Sequence, residues 1–93
     1  MGSVAVWRVT SVEVVSHARL RVTFADGTRG EVEMQGFLQG PEVAGTVFEP
    51  LRDPGVFAQA AVVSGAVEWP NGTDLAPDAM YDAIRAQGVW SLG

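Results

Sequence analysis

The amino-acid sequence predicts a small domain of the α+β class. Patterns typical of strands fill the first third of the chain, and two shorter strand patterns follow within residues 60–69. A helical pattern begins at Pro77 and ends at Gly88. The chain has 93 residues, 47% of them apolar, which suits one globular unit. We therefore treat residues 1–93 as a single domain.

The first two strands are predicted from side-chain type and spacing. Residues 6–15, "VWRVTSVEVV", are rich in β-branched side chains, which favour strands. Residues 19–24, "RLRVTF", alternate between polar and apolar side chains, which is the period of a half-buried strand. The connection between them contains His17, the only histidine of the chain. We interpret it as a polar surface residue.

The stretch "FADGT" at 24–28 predicts a hairpin turn whose length can be worked out. A three-residue loop "ADG" places Leu20 opposite Val32 and Arg21 opposite Glu31, so that one face is apolar and the other carries opposite charges. A two-residue loop would mix the faces. The longer loop is therefore favoured, with Gly27 in the left-handed conformation. We interpret the charged face as solvated, because exposed ion pairs contribute little.

The middle of the chain predicts short elements. Residues 35–47 contain three glycines and one proline, which indicates a loop or a broken helical turn. Asp53 followed by Pro54 predicts the cap and first position of one short helical turn. Residues 60–64 and 66–69 predict two short strands around a Ser-Gly turn.

The last predicted element is a helix that starts at Pro77 and stops at Gly88. Residues 88–93 are predicted to be a tail. Four residues recur at i, i+3, i+4 and i+7 and form the face expected against the sheet: Met80, Ala83, Ile84 and Gln87.

Composition excludes several classes of function. Cysteine is absent, which excludes disulfides, thiolate nucleophiles and cysteine-based zinc sites. The net charge is −5 and the six basic residues are scattered arginines, so we expect no direct binding of nucleic acid and a protein partner that is basic. No signal peptide or membrane-spanning run is present, which predicts a cytoplasmic protein without membrane attachment.

The stretch "EWPNGTDLAPDAMYD" at 68–82 has two interpretations. In the first it is a rigid joint, in which Trp69 buries its ring and needs an acceptor for its indole N–H, while Asp74 caps the following helix. In the second it is a recognition edge, in which Trp69, Asn71 and Asp74 hold a partner, because an aromatic ring beside polar groups is typical of interface anchors. Both can hold at once.

Catalysis has weaker support. No serine, histidine and acid stand in a pattern that marks an activated nucleophile. Asp78 and Asp82 are spaced as a solvated helix face. A cleft formed by Arg52, Asp53 and Asp74 is the alternative, as a small ligand-binding or metal-binding site or an enzyme. No catalytic residue, cofactor or metal ligand is assigned.

Three segments carry a family resemblance: "VWRVTSVEVVSHARLRVTF", "FADGTRGEVEM" and "PLRDPGVFAQAAVVSGAVEWPNGTDLAPDAMYD". Together they resemble the bacterial domain of unknown function 2442, whose last motif is W-P-N-G-x-D-L-x-P-x-x-L-Y. The resemblance covers residues 5–82. Ala76 stands where the family often has serine, and Met80 where it often has leucine. The positions that match are Asp26, Gly27, Asp53, Phe57, Trp69, Pro70, Asn71, Gly72, Asp74, Pro77 and Tyr81.

The resemblance implies a two-layer fold in which a small antiparallel meander sheet of about five strands carries the C-terminal helix and one short helical turn. It implies no enzyme activity and no cofactor. Similar proteins are one half of two-gene operons that are suspected toxin–antitoxin modules, and some longer relatives carry a helix-turn-helix domain, for which this chain leaves no room.

The leading hypothesis is thus a non-enzymatic protein-interaction module, the antitoxin-like or adaptor member of a pair, with a small partner encoded nearby. Self-association through edge strands is a further hypothesis.

Overall fold

The computed structural model describes residues 5–92. The six strands are β1 (Val9–Ser16), β2 (Arg19–Phe24), β3 (Arg29–Glu33), β4 (Ala61–Val63), β5 (Ala66–Glu68) and β6 (Val89–Ser91). The three α-helices are α1 (Gln35–Gln39), α2 (Pro54–Phe57) and α3 (Pro77–Gln87). Two 3-10 helices lie at Pro41–Val43 and Glu49–Arg52. The α+β class is confirmed.

The strands form two sheets. A four-stranded sheet has the order β1-β2-β3-β6, and β4 pairs with β5 in a separate hairpin. The first three strands are antiparallel, as predicted, but β6 is parallel to β3. The prediction of one antiparallel meander is therefore wrong in this respect, and the main sheet is mixed.

The last residues form a strand and not the predicted tail. Gly88 ends α3 with φ +79, so the chain reverses at the helix terminus. The carbonyl of Gly88 accepts a hydrogen bond from Glu31 N at 3.2 Å, which brings β6 alongside β3. Because α3 carries the chain back across the sheet, the new strand enters parallel to β3.

The β2–β3 hairpin has the predicted register. Leu20 lies opposite Val32 and Arg21 opposite Glu31. Phe24 N donates to Thr28 O at 2.8 Å, which closes a three-residue loop, and Gly27 has φ +88. The opposite-charge pairs expected across this hairpin form on the outer face, Arg21 with Glu31 and Arg19 with Glu33. Two further ion pairs join Arg19 to Glu31 and Arg21 to Glu13.

The segment predicted as a loop or broken helical turn contains α1 and the first 3-10 helix, joined at Gly40. Leu38 and Val43 are buried, which explains why so glycine-rich a segment folds onto the domain. Asp53 caps α2, with its Oδ1 accepting a hydrogen bond from Gly55 N at 2.7 Å. The predicted cap is confirmed.

One core holds the two layers together. It joins the inner face of the main sheet to the helices and to the β4–β5 hairpin, and its largest buried members are Trp69, Phe24, Phe57, Leu20, Met34, Leu38, Leu51 and Met80. Helix α3 contributes Met80 and Ile84, while Ala83 is half-buried. Gln87 is exposed, so the predicted face extends one position too far. In residues 5–92, no helix combines the length and apolarity needed to cross a bilayer.

Candidate interaction site

The segment that joins β5 to α3 is a tight turn. Trp69 N donates to Thr73 O at 2.8 Å, and Gly72 N donates to Trp69 O at 2.9 Å. Gly72 has φ +89, a conformation that glycine adopts without a steric penalty. Pro70 lies in this turn, where the absence of an N–H costs nothing. The predicted joint is therefore a closed backbone structure.

Trp69 is part of the core. Its side chain is 1% exposed, and its Nε1 donates to Phe57 O at 2.9 Å. The expected burial and the expected acceptor are both found. A ring in this position offers no surface to a partner, so any contribution of Trp69 to recognition is through the position of the turn that follows it.

Asn71 and Thr73 tie the joint to a distant loop. Asn71 Nδ2 and Thr73 Oγ1 each donate to Val47 O at 2.9 Å. Asn71 Oδ1 also accepts from Thr73 N at 3.1 Å. Thr73 is buried, and its hydroxyl therefore needs such an acceptor, a role that no sequence pattern indicates. These bonds fix the loop before the second 3-10 helix.

Asp74 does not cap α3. The N-cap position is Ala76, which makes no side-chain cap hydrogen bond, and within the first turn Asp78 Oδ1 accepts a hydrogen bond from Ala79 N at 2.9 Å. Instead the backbone of Asp74 forms an isolated bridge with Glu68. The prediction of a cap is wrong because the backbone is still extended at Asp74, two residues too early. Within residues 5–92, its exposed carboxylate takes part in no hydrogen bond or ion pair.

Four acidic residues lie close together in the chain from the end of β5 to the middle of α3. They are Glu68, Asp74, Asp78 and Asp82, and we call them the acidic face. Asp74 and Glu68 are bridge partners, Asp78 and Asp82 are one helical turn apart, and three residues of chain separate Asp74 from Asp78. The chain has no basic residue between Arg52 and Arg85. None of the four acids forms an ion pair within the described residues.

Asp26 and Tyr81 connect the β2–β3 turn to α3. Tyr81 Oη donates to Asp26 Oδ2 at 2.6 Å, and Arg85 Nη1 lies 3.9 Å from the same oxygen. The hydrogen bond from Tyr81, helped by Thr28 N, lowers the pKa of Asp26 from 3.8 to about 2. The same bond raises the pKa of Tyr81. These two residues fasten elements together within the domain.

A cleft of about 210 Å³ opens on another part of the surface. It lies between the β1–β2 turn, α1 and the second 3-10 helix, and we call it the His17–Arg52 cleft. Its lining residues are His17, Ala18, Gln35, Leu38, Gln39 and Arg52. The sequence predicts only a surface position for His17 and indicates no role for either glutamine, because their segment carries the signals of a loop or a broken helical turn.

The three residues of the alternative site, Arg52, Asp53 and Asp74, do not line one cleft together. Arg52 lines the cleft, but Asp53 and Asp74 do not. No hydrogen bond or ion pair joins Asp74 to the other two in the part of the chain that the structure describes. In the same residues, no three side chains of histidine, aspartate or glutamate come together as metal ligands would. Arg52 forms an ion pair with Glu49 at the surface, at 3.7 Å.

The family model described as "Protein of unknown function (DUF2442)" matches residues 9–86. The chain belongs to the DUF2442 family. Comparison of this DUF2442 chain with curated proteins gives no significant match.

A solved structure is also similar, the "Putative DNA Binding Protein NE0471 from Nitrosomonas europaea ATCC 19718". It shares 32% sequence identity with this DUF2442 chain at a TM-score of 0.54, over 68% of this chain. The match covers 39% of that protein, so this chain spans well under half of its length.

Proposed function

We propose that this DUF2442 domain is a non-enzymatic protein-interaction module whose acidic face binds a small basic protein in the cytoplasm. The observation that carries the proposal is the collection of Glu68, Asp74, Asp78 and Asp82 in a stretch without basic residues. Like charges held together without counter-charges repel one another, and a basic partner relieves that repulsion.

Within this proposal the joint has two roles. Trp69 and Asn71 hold the turn, since their donors are bonded inside the domain. Asp74 supplies the contact, since its carboxylate has no partner within residues 5–92. In this proposal the contact with the partner is therefore made by the carboxylates after the turn, and not by the tryptophan ring.

Electrostatics favours a protein partner over DNA. Four of the six arginines lie in ion pairs with acids, namely Arg19, Arg21, Arg52 and Arg85. A DNA-binding surface needs arginines and lysines that are free to neutralise phosphates. The similar protein from Nitrosomonas europaea is described as a DNA binder, but well over half of it lies outside the match. We propose that DNA binding, where it exists in such relatives, belongs to the unmatched part.

An antitoxin-like or adaptor role is the specific form of this proposal. A partner encoded beside the gene would be held through its basic surface, and its own active or binding surface would be masked sterically. Charge complementarity would speed the association and would make it sensitive to salt.

The proposal can be tested by isolating the tagged full chain from its native host and identifying bound proteins by mass spectrometry. The triple variant Asp74→Asn, Asp78→Asn and Asp82→Asn should lose one stoichiometric basic protein that the unmodified chain retains. The matched control is the triple variant Glu13→Gln, Glu42→Gln and Glu49→Gln, which changes the net charge equally on other parts of the surface.

Equal loss in both triple variants would show a dependence on net charge alone and would contradict a localised face. Retention in both would contradict the proposal directly. A gel-shift measurement with duplex DNA completes the test, and saturable binding at physiological salt would favour the DNA-binding alternative.

A further inference from the structure

The His17–Arg52 cleft differs in charge from the rest of the molecule. The chain has 11 acidic and six basic residues, yet none of the residues that line the cleft is acidic. Arg52 carries a permanent positive charge, and His17, Gln35 and Gln39 bring further N–H donors. Neither glutamine side chain makes a hydrogen bond within residues 5–92. The cleft therefore presents glutamine amide donors that the fold does not use, beside the charged side chain of Arg52.

The guanidinium of Arg52 is held in place by the backbone. Its Nε donates to Leu38 O at 2.6 Å, and its Nη2 donates to Gly40 O at 3.0 Å. The remaining nitrogen, Nη1, lies 3.7 Å from Glu49 Oε2, which is too long for a hydrogen bond. An arginine fixed in this way loses little side-chain entropy when it binds an anion, so binding is favoured by the preorganisation.

The other walls also favour a small anionic group. Ala18 and Leu38 are buried and form an apolar floor, where ionic hydrogen bonds are less weakened by water. His17 is packed edge-on against Phe57, with ring centroids 5.5 Å apart. The volume of about 210 Å³ is below that of pockets for drug-sized ligands, so it suits one acidic group and a few carbons.

We propose that the His17–Arg52 cleft is a binding site for a carboxylate group. The planar fork of an arginine matches a carboxylate, and the two glutamine amides can donate to its oxygens. The carboxylate comes either from a small organic acid or from the C-terminus of a peptide, and both share this chemistry. The site is separate from the acidic face, so either proposal can fail while the other stands.

The proposal is tested by NMR titration of the ¹⁵N-labelled full chain. Glutarate stands for a free acid, N-acetylglycine for a peptide C-terminus, and N-acetylglycinamide for the same molecule without the charge. Both acids should shift the Arg52 Nε–H and the Gln35 and Gln39 amides saturably, and the neutral amide should not. The tighter of the two acids identifies the source of the carboxylate.

Variants decide whether the cleft is the site. The double variant Gln35→Ala and Gln39→Ala should bind the better acid about tenfold more weakly, since two hydrogen bonds to a charged group are lost. Gln87→Ala is the matched control, because Gln87 is an exposed glutamine outside the cleft and should leave the affinity unchanged. Arg52→Lys keeps the charge but removes the fork, and should also weaken binding.

Three outcomes would overturn the proposal. One is equal shifts with N-acetylglycinamide, which would show that the charge is irrelevant. Another is unchanged affinity in the double glutamine variant. The third is tighter binding of inorganic phosphate than of either acid, which would assign the cleft to a different anion.

Discussion

At the scale of single residues, the side chains that most resemble a binding motif are bonded to the protein itself. Trp69 donates to the carbonyl of Phe57, and Asn71 donates to the carbonyl of Val47. Tyr81 donates to Asp26 across the two layers. The indole N–H of Trp69 is buried, where a donor without an acceptor is costly. The bonds of Asn71 and Tyr81 are exposed, and each joins segments far apart in the chain. The exposed carboxylate of Asp74 is the group of this motif that takes part in no such bond within residues 5–92.

Trp69→Ala should lower the free energy of unfolding by about 3–5 kcal/mol, because it leaves a large cavity in the core. The measurement is chemical denaturation followed by circular dichroism. Trp7→Ala is the matched control, since Trp7 is 43% exposed and its removal should change stability by no more than about 0.5 kcal/mol. A Trp69→Ala variant as stable as the control would contradict the burial.

The Asp26–Tyr81 bond should be visible in the acid limb of a pH–stability curve. The pKa of Asp26 is about 2 in the folded protein and 3.8 ordinarily, so the carboxylate stabilises the fold above pH 3.8. That contribution is lost as the pH falls from about 4 to about 2. Tyr81→Phe removes the largest cause, so the pKa of Asp26 should rise toward 3.8 in a ¹³C-carboxyl titration. An unchanged pKa in this variant would contradict the assignment.

At the scale of elements, the positions of the helices depend on their N-caps and on how closely they pack against the sheet. The N-cap of α2 is Asp53, whose side chain accepts a hydrogen bond from Gly55 N. The N-cap of α3 is Ala76, which makes no side-chain cap hydrogen bond. Helix α3 also lies so close to β3 that a side chain at Gly30 would meet Ile84 and the carbonyl of Gly88. The position of α3 therefore depends on packing more than on local capping.

The two aspartates before the helices should differ in their effect on stability. Asp53→Ala removes a cap and should cost about 0.5–2 kcal/mol. Asp74→Ala removes no hydrogen bond within the described residues and should stay within about 0.5 kcal/mol of the unmodified protein. Thermal or chemical denaturation of both variants gives the comparison. A cost at Asp74 equal to that at Asp53 would favour the capping role that the structure does not show.

Gly30→Ala should destabilise the domain by about 1–3 kcal/mol, the usual cost of overpacking. A Cβ at this position would lie 2.7 Å from the backbone oxygen of Gly88, which cannot move without shifting β6. Gly36→Ala is the control, because a Cβ there meets nothing within 4 Å and alanine favours a helix. Equal stability of the two variants would contradict the close contact between β3 and α3.

At the scale of the whole molecule, β6 completes the main sheet and belongs to the fold. Trp90 lies opposite Val32 in the parallel pair, and Trp90 and Leu92 both pack against the core. Leu92 N donates to Glu33 O at 2.9 Å, which holds the residue after β6 against β3. One edge strand of the main sheet is therefore β6, which follows α3 in the chain.

Truncation after Gly88 should lower the free energy of unfolding by about 2 kcal/mol or more, because two half-buried apolar side chains and a strand pairing are lost. Urea denaturation of the truncated and full chains measures the difference. Ser91→Ala is the control within the same strand, since Ser91 is exposed. A truncated chain of unchanged stability would restore the interpretation of residues 88–93 as a tail.

The sequence by itself determined the local structure. The register of the β2–β3 hairpin, the cap at Asp53, the β4–β5 strands and the limits of α3 follow from side-chain period, turn residues and capping chemistry, all of which act over a few neighbouring residues. The burial of Trp69 followed from its place at a strand end. For these features the physical cause lies within the segment that shows it.

Only the tertiary structure decided which distant segments meet. The sequence could not show that Asn71 and Thr73 share the carbonyl of Val47, that β6 pairs with β3, or that two glutamines line a cleft with Arg52. Each of these contacts joins residues far apart in the chain, and it depends on how helices and strands pack as bodies. Local propensities carry no information about that packing, because a loop or a short strand is stabilised by whichever neighbour the fold brings to it.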